Sequence, residues 1–166
     1  MTVRSLIVLA GFAASLACPQ VAFPQSCRLV ALAEPARQAL RCAHGFTVEI
    51  VRPGGRKLEA APRRTPRNIE LPSGALLFEA PAGSRFRVRT PHAIATVRGT
   101  TFVVDVKRRQ TDVFVSRGRV EVTRRRDDAS VTLSAGEGVD VTPRGPLEVK
   151  DWGAGRIEAL LARFGR

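Results

Sequence analysis

The sequence of 166 residues contains no tyrosine, one tryptophan and only two histidines, His44 and His92. Histidine is the commonest general base and a frequent zinc ligand, so little material is present for a catalytic triad or a metal centre. No CxxC, HExxH, GxSxG or GxxxxGK(S/T) spacing occurs, and we expect no metal and no organic cofactor. We therefore predict that the protein is not an enzyme. A histidine or carboxylate site assembled across distant strands stays open as a formal alternative.

Acidic residues are also scarce, with 15 Asp and Glu against 27 Lys and Arg and a net charge of +12. Nearly all of the basic residues are arginine. Genome composition can produce such an excess of arginine over lysine, so we draw no functional conclusion from it. A surface of this charge attracts anionic partners, such as acidic lipids or polysaccharides. The content of 44% hydrophobic and 25% charged residues is that of a globular protein, and the length suits one domain.

No apolar run reaches the roughly 20 residues that a membrane-spanning helix needs. The longest run, SLIVLAGFAASLA, follows the basic start MTVR and precedes small residues, which is the layout of a secretory signal peptide. We predict a signal peptide over residues 1–22, with a boundary between 17 and 25. A lipoprotein anchored through Cys18 is the alternative. The mature chain is expected to lack a transmembrane helix, to be periplasmic or secreted, and to meet no nucleic acid.

The three cysteines support export, because removal of the leader takes away Cys18 and leaves the pair Cys27 and Cys42. In an oxidising compartment such a pair predicts one disulfide, closing a loop of about 15 residues. A metal site at these cysteines would need further ligands, and the chain offers few.

Short segments with alternating apolar and polar residues dominate the chain after residue 45. In the segment 85–90, Phe86 and Val88 alternate with arginines, which predicts one buried and one basic face. Further segments of this kind are 46–51, 75–80, 100–106, 111–116, 117–123, 130–134 and 139–142. Glycine turns separate them, and no βαβ alternation is present. The pattern predicts an all-β fold, a jelly-roll-like β-sandwich or roll of short antiparallel strands.

The two ends of the mature chain have a different pattern. Residues 27–43 are expected to be irregular or partly helical. An amphipathic helix is predicted in residues 151–166, with Asp151 as N-cap, Trp152 anchoring its start and Gly165 ending it. Its apolar stripe, Ile157, Leu160, Leu161 and Phe164, is expected to pack on the sheet. The predicted organisation is therefore a disulfide-stapled lead-in with a first strand and a basic loop over 23–72, a β domain over 73–150, and the helix.

The segment 52–67, RPGGRKLEAAPRRTPR, combines three prolines and a Gly-Gly pair with six basic residues. Such a composition predicts an exposed loop, which we interpret as a solvated arm. The alternative is an anion-binding site. Its candidate residues are Arg52, Arg56, Lys57, Arg63, Arg64 and Arg67.

Three segments, TPHAIATVRGTTFVVDV, TDVFVSRGRVEV and VTLSAGEGVDV, together resemble the FecR-domain family over about residues 73–142. The pieces that match the family pattern are the Thr-Pro, the V-R-G-T and the glycine turns. They comprise Thr90, Pro91, Val97, Arg98, Gly99, Thr100, Gly118, Gly136 and Gly138. We interpret these residues as mainly structural.

The resemblance implies a jelly-roll-like sensory or scaffolding domain outside the cytoplasmic membrane. The best-known members receive a signal from an outer-membrane iron transporter and pass it through a membrane helix to a cytoplasmic anti-sigma segment. Only four residues precede the apolar run here, so we do not expect a cytoplasmic segment of that kind. The function predicted is a non-catalytic exported FecR-like module that binds another cell-envelope component, protein or polymer. The alternative is a cationic protein attached to an anionic envelope polymer or lipid.

Arg98-Gly99 interrupts the most strand-like part of the sequence. Glycine at this position predicts a bulge or close backbone approach where the strand changes direction. A partly buried Arg98 would then need a partner, either carbonyl groups freed at the bend or a carboxylate such as that of Asp105 or Glu121. A ligand-binding role for Arg98 is the alternative.

Overall fold

The computed structural model describes residues 27–55, 62 and 65–166. The predicted signal peptide and Cys18 lie outside these residues, as do Arg56, Lys57, Arg63 and Arg64 of the basic loop. The described part consists of two β-sheets and a short C-terminal helix, so the predicted all-β fold with one terminal helix is confirmed.

Eight strands form the larger sheet, in the order β1-β2-β3-β5-β8-β9-β12-β13, and five form the smaller sheet, in the order β11-β10-β7-β6-β4. The strands are β1 Arg28–Leu32, β2 Arg37–Arg41, β3 Thr47–Val51, β4 Asn68–Glu70, β5 Gly74–Glu79, β6 Arg85–Arg89, β7 Ala93–Arg98, β8 Thr101–Val106, β9 Thr111–Arg117, β10 Val120–Arg124, β11 Ser130–Leu133, β12 Glu137–Val141 and β13 Val149–Asp151. The helix α1 covers Ala154–Leu161, and a 3-10 turn over Ala162–Phe164 continues it. Strands β4 and β6 pair in parallel, whereas the other pairs of neighbours are antiparallel.

The main core lies between the two sheets and is centred on phenylalanine rings. Phe78 of β5 stacks on Phe86 of β6 with ring centroids 4.5 Å apart, which joins the larger sheet to the smaller one. Phe46 meets both rings edge-on, at 5.1 and 5.4 Å. These aromatic contacts fix how the two sheets face each other.

A second, smaller core covers the opposite face of the larger sheet. Leu77, Val103 and Phe114 of the sheet pack there against Leu160 and Phe164 of the C-terminal segment. Strands β5, β8 and β9 are thus buried on both faces, which explains why their sequences are nearly continuous apolar runs. The expectation that the helix packs its apolar stripe on the sheet is confirmed.

The helix begins later than the sequence pattern indicated. Its N-cap is Gly153, and Asp151 is the last residue of β13, opposite Glu137 of β12. The prediction of Asp151 as N-cap was therefore wrong, because the sheet uses its backbone. Gly165 ends the 3-10 turn in a left-handed conformation, with φ 71°, as predicted.

The lead-in is a β-hairpin, so the expectation of an irregular or partly helical segment over 27–43 was wrong. Strands β1 and β2 pair from Arg28 opposite Arg41 to Leu32 opposite Arg37, and β2 then pairs with β3. Helix-favouring Ala, Leu, Gln and Arg residues adopt strands here because pairing with the sheet edge overrides their local preference. The predicted disulfide between Cys27 and Cys42 is confirmed, and it closes the open end of this hairpin.

Candidate functional site: an arginine-lined groove

Gly99 lies at the corner where the chain leaves the smaller sheet and enters the larger one. Strand β7 ends at Arg98, and β8 begins at Thr101. Gly99 has φ 56°, and a Cβ there would overlap the backbone of Ala82 and come 2.7 Å from the carbonyl oxygen of Pro81. Its N–H donates to the carbonyl of Ser84 at 2.9 Å. The glycine therefore allows both the turn and the close approach of the loop over 80–84.

Arg98 has a different environment from the one expected. Its side chain is exposed, and in the described part of the chain no acidic residue pairs with it. Asp105 instead accepts a hydrogen bond from Arg163, on the face of the larger sheet that α1 covers. Glu121 lies opposite Thr96, on the strand next to that of Arg98. The predicted Arg98 ion pair is therefore not formed, and the guanidinium points to solvent.

The outer face of the smaller sheet forms a groove of about 1100 Å³. We call it the arginine groove, because five exposed arginines line it: Arg67, Arg85, Arg87, Arg98 and Arg119. Among the described residues of its lining the one acid is Glu121, and the remaining polar side chains include Asn68, Thr96 and Thr132. The exposed chemistry of these residues is therefore guanidinium, hydroxyl and amide with a single carboxylate.

Strand register places three of these arginines in one line. Arg85 of β6 is directly opposite Arg98 of β7. Val97 is opposite Val120 of β10, so the position level with Arg98 on that side is Arg119. Because neighbouring strands are about 4.8 Å apart, the line spans roughly 10 Å across three strands.

Arg67 lies beside this line on the β4 side but is one residue out of register with it, because Asn68 is opposite Arg87 and Arg67 is therefore level with Phe86. Its carbonyl accepts a hydrogen bond from the backbone of Arg87 at 3.0 Å, which places it beside β6. The next line across the sheet contains Asn68, Arg87, Thr96, Glu121 and Thr132. The groove is therefore more cationic at the end marked by Arg98 than further along the strands.

The arginines of the groove differ from several others in having no ion pair among the described residues, although Arg89, the next outward residue of β6, lies 3.9 Å from Glu70. On the side that carries α1, Arg37 pairs with Glu49, Arg163 with Asp105 and Arg156 with Asp140. No ion pair joins any arginine of the groove to an acid within residues 27–55, 62 and 65–166. Like charges directly opposite each other destabilise a sheet, so the Arg85–Arg98 pair carries a cost that no ion pair among the described residues offsets.

One described residue of the basic loop lies in the lining of the groove. Of its six candidate anion-binding residues, Arg67 lines the groove, while Arg52 lies at the end of β3 and Arg56, Lys57, Arg63 and Arg64 lie outside the described residues. Sequence reasoning identified the basic face of β6 but missed Arg98 and Arg119 as its neighbours. The alternation of each strand already placed Arg98 and Arg119 on its outer face. Only the order of the strands in the sheet shows that the two arginines are neighbours.

The other residues of the family motif lie in turns and in the core. Thr90 is buried, and its hydroxyl accepts from the backbone N–H of Ala93 at 2.9 Å, which closes the turn containing the exposed Pro91. Val97 and Thr100 are buried. Gly118 and Gly136 have positive φ values of 89° and 91°, and Gly138 contacts Trp152.

Neither histidine lies in an arrangement suited to proton transfer to a substrate. His92 Nδ1 is 3.1 Å from the Thr111 hydroxyl, and burial lowers the pKa of this imidazole. His44 occupies a left-handed position, with φ 59°, in the turn after β2. The described residues also contain no group of three or more His, Cys, Asp or Glu side chains that could hold a metal ion.

Residues 47–121, from β3 to the start of β10, match the sequence model of the FecR protein family. This segment, just under half of the chain, is similar to a FecR domain. This confirms the resemblance found in the motifs, with a match that starts earlier and ends earlier than residues 73–142. No curated protein matches the sequence.

Two crystal structures of a candidate anti-sigma factor from Parabacteroides distasonis share the fold, with TM-scores of 0.53 and 0.51 at 21% and 22% identity. Each alignment covers 82% of this chain and only 61% of the length of that protein. The likeness therefore extends over most of the described sheets.

Two features of the described residues bear on location. No helix within them is long and apolar enough to cross a membrane. Separately, the Cys27–Cys42 disulfide is typical of proteins in oxidising compartments and indicates a place outside the cytoplasm.

Proposed function

We propose that this protein is a non-catalytic sensory or scaffolding module of the cell envelope, and that it works by binding another envelope component in the arginine groove. The observation that carries the proposal is the asymmetry of the arginines. Those beside α1 are paired with carboxylates, whereas those of the groove are exposed and have no acidic partner among the described residues. Unpaired arginines on one face do not stabilise the fold, but they can bind an anionic ligand.

The chemistry of the groove supports binding over catalysis. Guanidinium groups stay protonated at all physiological pH values, so they cannot act as general acids or bases. They form paired, charge-assisted hydrogen bonds with carboxylates and phosphates. The match to the FecR family supports a regulatory role for such binding.

The proposal includes export of the protein from the cytoplasm, directed by the predicted signal peptide, residues 1–22. The disulfide between Cys27 and Cys42 forms readily only where thiols are oxidised, so the domain works in the periplasm or beyond. N-terminal sequencing of the protein recovered from the periplasm of its host tests this part. A cytoplasmic protein with an intact leader would contradict it.

The binding part is tested by retaining envelope extract on the immobilised protein. Arg85→Glu/Arg98→Glu, which reverses two charges in the groove, should lose the retained component. The matched control is Arg108→Glu/Arg109→Glu, which makes the same charge change at two exposed residues of the loop between β8 and β9. Equal retention by both variants would contradict a role for the groove.

A second candidate function is charge-driven attachment of the whole domain to an anionic lipid surface. The net charge of +12 favours it. Attachment of this kind depends on total charge, so both double variants above should weaken it equally. It also weakens steeply as ionic strength rises.

A further inference from the structure

The proposed function does not specify the ligand of the arginine groove. The shape and composition of the groove limit which classes of ligand can bind there. Protein–protein interfaces are built around buried apolar or aromatic anchors. Among the described residues, the one exposed large hydrophobic side chain is Val149, and it lies on β13 of the other sheet. Phe86 and Val97 line the groove but are only 2% exposed, so they offer no anchor. The groove is therefore poorly suited to a folded protein partner.

A lipid bilayer also fits poorly. The groove is concave and has a volume of about 1100 Å³, whereas a membrane presents a flat plane of headgroups. Peripheral membrane proteins add apolar side chains that enter the headgroup region, and the exposed side chains among the described residues of this groove are polar. A thin, flexible and hydrophilic ligand can enter it, and a bilayer cannot.

The line of arginines indicates the form of the ligand. Arg85, Arg98 and Arg119 are spaced by one strand each, and Arg67 adds a fourth cation beside the line, one residue out of register on the β4 side. The line of three runs across the strands for roughly 10 Å, at about one guanidinium every 5 Å. A linear chain with anionic groups at short intervals would meet each cation in turn. The hydroxyls of Thr96 and Thr132, in the next line, can bind the polar groups between the charges.

We propose that the arginine groove binds a linear, non-protein polyanion, a glycan or phosphate polymer that carries phosphate or carboxylate groups at short intervals, across β4, β6, β7 and β10. This inference rests on the proposed function, because it names the partner of the same site. Glu121 lies beside Thr96 and repels a chain that strays along the strands, so the ligand is held to the line through Arg98.

The test uses the full chain with its disulfide formed and measures binding to four probes by titration calorimetry. The probes are polyphosphate, polygalacturonate, neutral dextran and poly-L-glutamate, and vesicles of phosphatidylglycerol form a fifth arm. We expect binding to polyphosphate and polygalacturonate, weaker binding to polyglutamate and the vesicles, and none to dextran. The ratio of the first two affinities then shows whether phosphate or carboxylate is the preferred group.

Two triple variants separate the groove from total charge. Arg85→Gln/Arg98→Gln/Arg119→Gln should weaken polymer binding by about 1,000-fold, at about tenfold for each of the three charge-assisted contacts. Arg108→Gln/Arg109→Gln/Arg144→Gln removes the same charge from exposed positions outside the groove and should change the affinity by about twofold at most. The slope of log affinity against log salt should also fall by about one for each groove arginine removed.

The groove variant is expected to fold, because it removes the repulsion between Arg85 and Arg98, and its Tm should equal or exceed that of the parent chain. Equal losses in both triple variants would overturn the inference. Tighter binding of polyglutamate or vesicles than of either polymer would also overturn it, while leaving groove-dependent retention of an envelope component, and hence the proposed function, intact. If neither polymer binding nor that retention depends on the groove, both proposals fail.

Discussion

The indole of Trp152 packs directly on Gly138, so that a Cβ at residue 138 would overlap ring atoms Cε2 and Nε1 and come 2.8 Å from Cζ2. Phe114 is the strand partner of Gly138, and its ring stacks on the same indole with centroids 5.4 Å apart. The guanidinium of Arg156 covers the ring at 3.5 Å. Gly138, a glycine of the family motif, thus leaves the space in which Trp152 packs just before the C-terminal helix.

Gly138→Ala should destabilise the protein by about 1–3 kcal/mol, the usual cost of overpacking a core contact. The effect is measured as a lower Tm together with a shift in the fluorescence of Trp152, the only tryptophan of the chain. Gly155→Ala is the matched control, because nothing lies within 4 Å of its added Cβ and it is in α1. The control should stabilise by up to about 1 kcal/mol, and equal effects of the two changes would contradict the packing described.

Gly99→Ala should cost more, about 2–4 kcal/mol, because it combines a left-handed backbone with a clash against Pro81 and Ala82. Gly83→Ala is its control, since Gly83 also has a positive φ, 86°, but open space around it. That variant should lose only about 1–2 kcal/mol, the conformational term alone. Urea unfolding measures both, and similar losses would show that the corner at Gly99 is not tightly packed.

Removal of the disulfide by Cys27→Ser/Cys42→Ser should lower the free energy of unfolding by about 3 kcal/mol, because the loop of 15 residues is no longer closed in the unfolded chain. The parent protein treated with a reductant should show the same loss, which controls for the serine side chains. An unfolding midpoint unaffected by either treatment would contradict a stabilising role for the staple.

Glu49 links the stapled hairpin to the C-terminus and is buried, at 5% exposure. Its carboxylate accepts from Arg37 Nε at 2.7 Å and from Arg166 Nη2 at 3.0 Å. Glu49→Gln leaves Arg37 largely buried without its counter-ion and should destabilise by about 2–4 kcal/mol. Glu79→Gln, which removes a more exposed carboxylate from the same Arg166, should cost less than about 1 kcal/mol, and the reverse order would contradict the arrangement.

The free energy of unfolding should depend on pH through Asp112 and Asp140, which are opposite each other on β9 and β12. Burial raises the pKa of Asp112 above 3.8, against the effect of hydrogen bonds from Lys107 and Gln110. Burial also acts to raise the pKa of Asp140, but hydrogen bonds from Arg156 outweigh it and the pKa lies below 3.8.

The two shifts act in opposite directions as the solution becomes more acidic. A carboxyl with a raised folded pKa adds stability as the pH falls through that pKa, and the gain is complete below the unfolded value. A carboxyl with a lowered pKa contributes stability above its unfolded value, and this is lost as the pH falls through the folded pKa. As the pH falls, the free energy of unfolding should therefore first increase slightly, at pH values above 3.8, and then decrease at pH values below 3.8.

Urea unfolding at a series of pH values, followed by Trp152 fluorescence, measures this profile. Asp112→Asn should abolish the early rise, and Asp140→Asn should reduce the later decline while already loosening α1 at neutral pH. A decline that is unchanged in Asp140→Asn would show that another group controls the acid transition.

Local patterns were sufficient for much of this structure. Alternation in segments such as 85–90 identified strands and their buried face, the stripe from Ile157 to Phe164 identified the terminal helix, and the cysteine count identified the disulfide. The lead-in over 27–43 was misjudged because its residues favour helix locally, and only pairing with β3 makes them strands. Asp151 was misplaced for a similar reason, since β13 pairs with β12.

The sequence by itself determined which side is buried in the strands that have one exposed face, such as β6 and β10, because side chains alternate strictly between the two faces of a sheet. It could not determine which strands are neighbours, since pairing depends on contacts between residues far apart in the chain. Only the tertiary structure placed Arg85 of one strand opposite Arg98 of the next and level with Arg119 of a third. Separately, each is an ordinary exposed arginine, and their alignment by strand register makes them a candidate binding site.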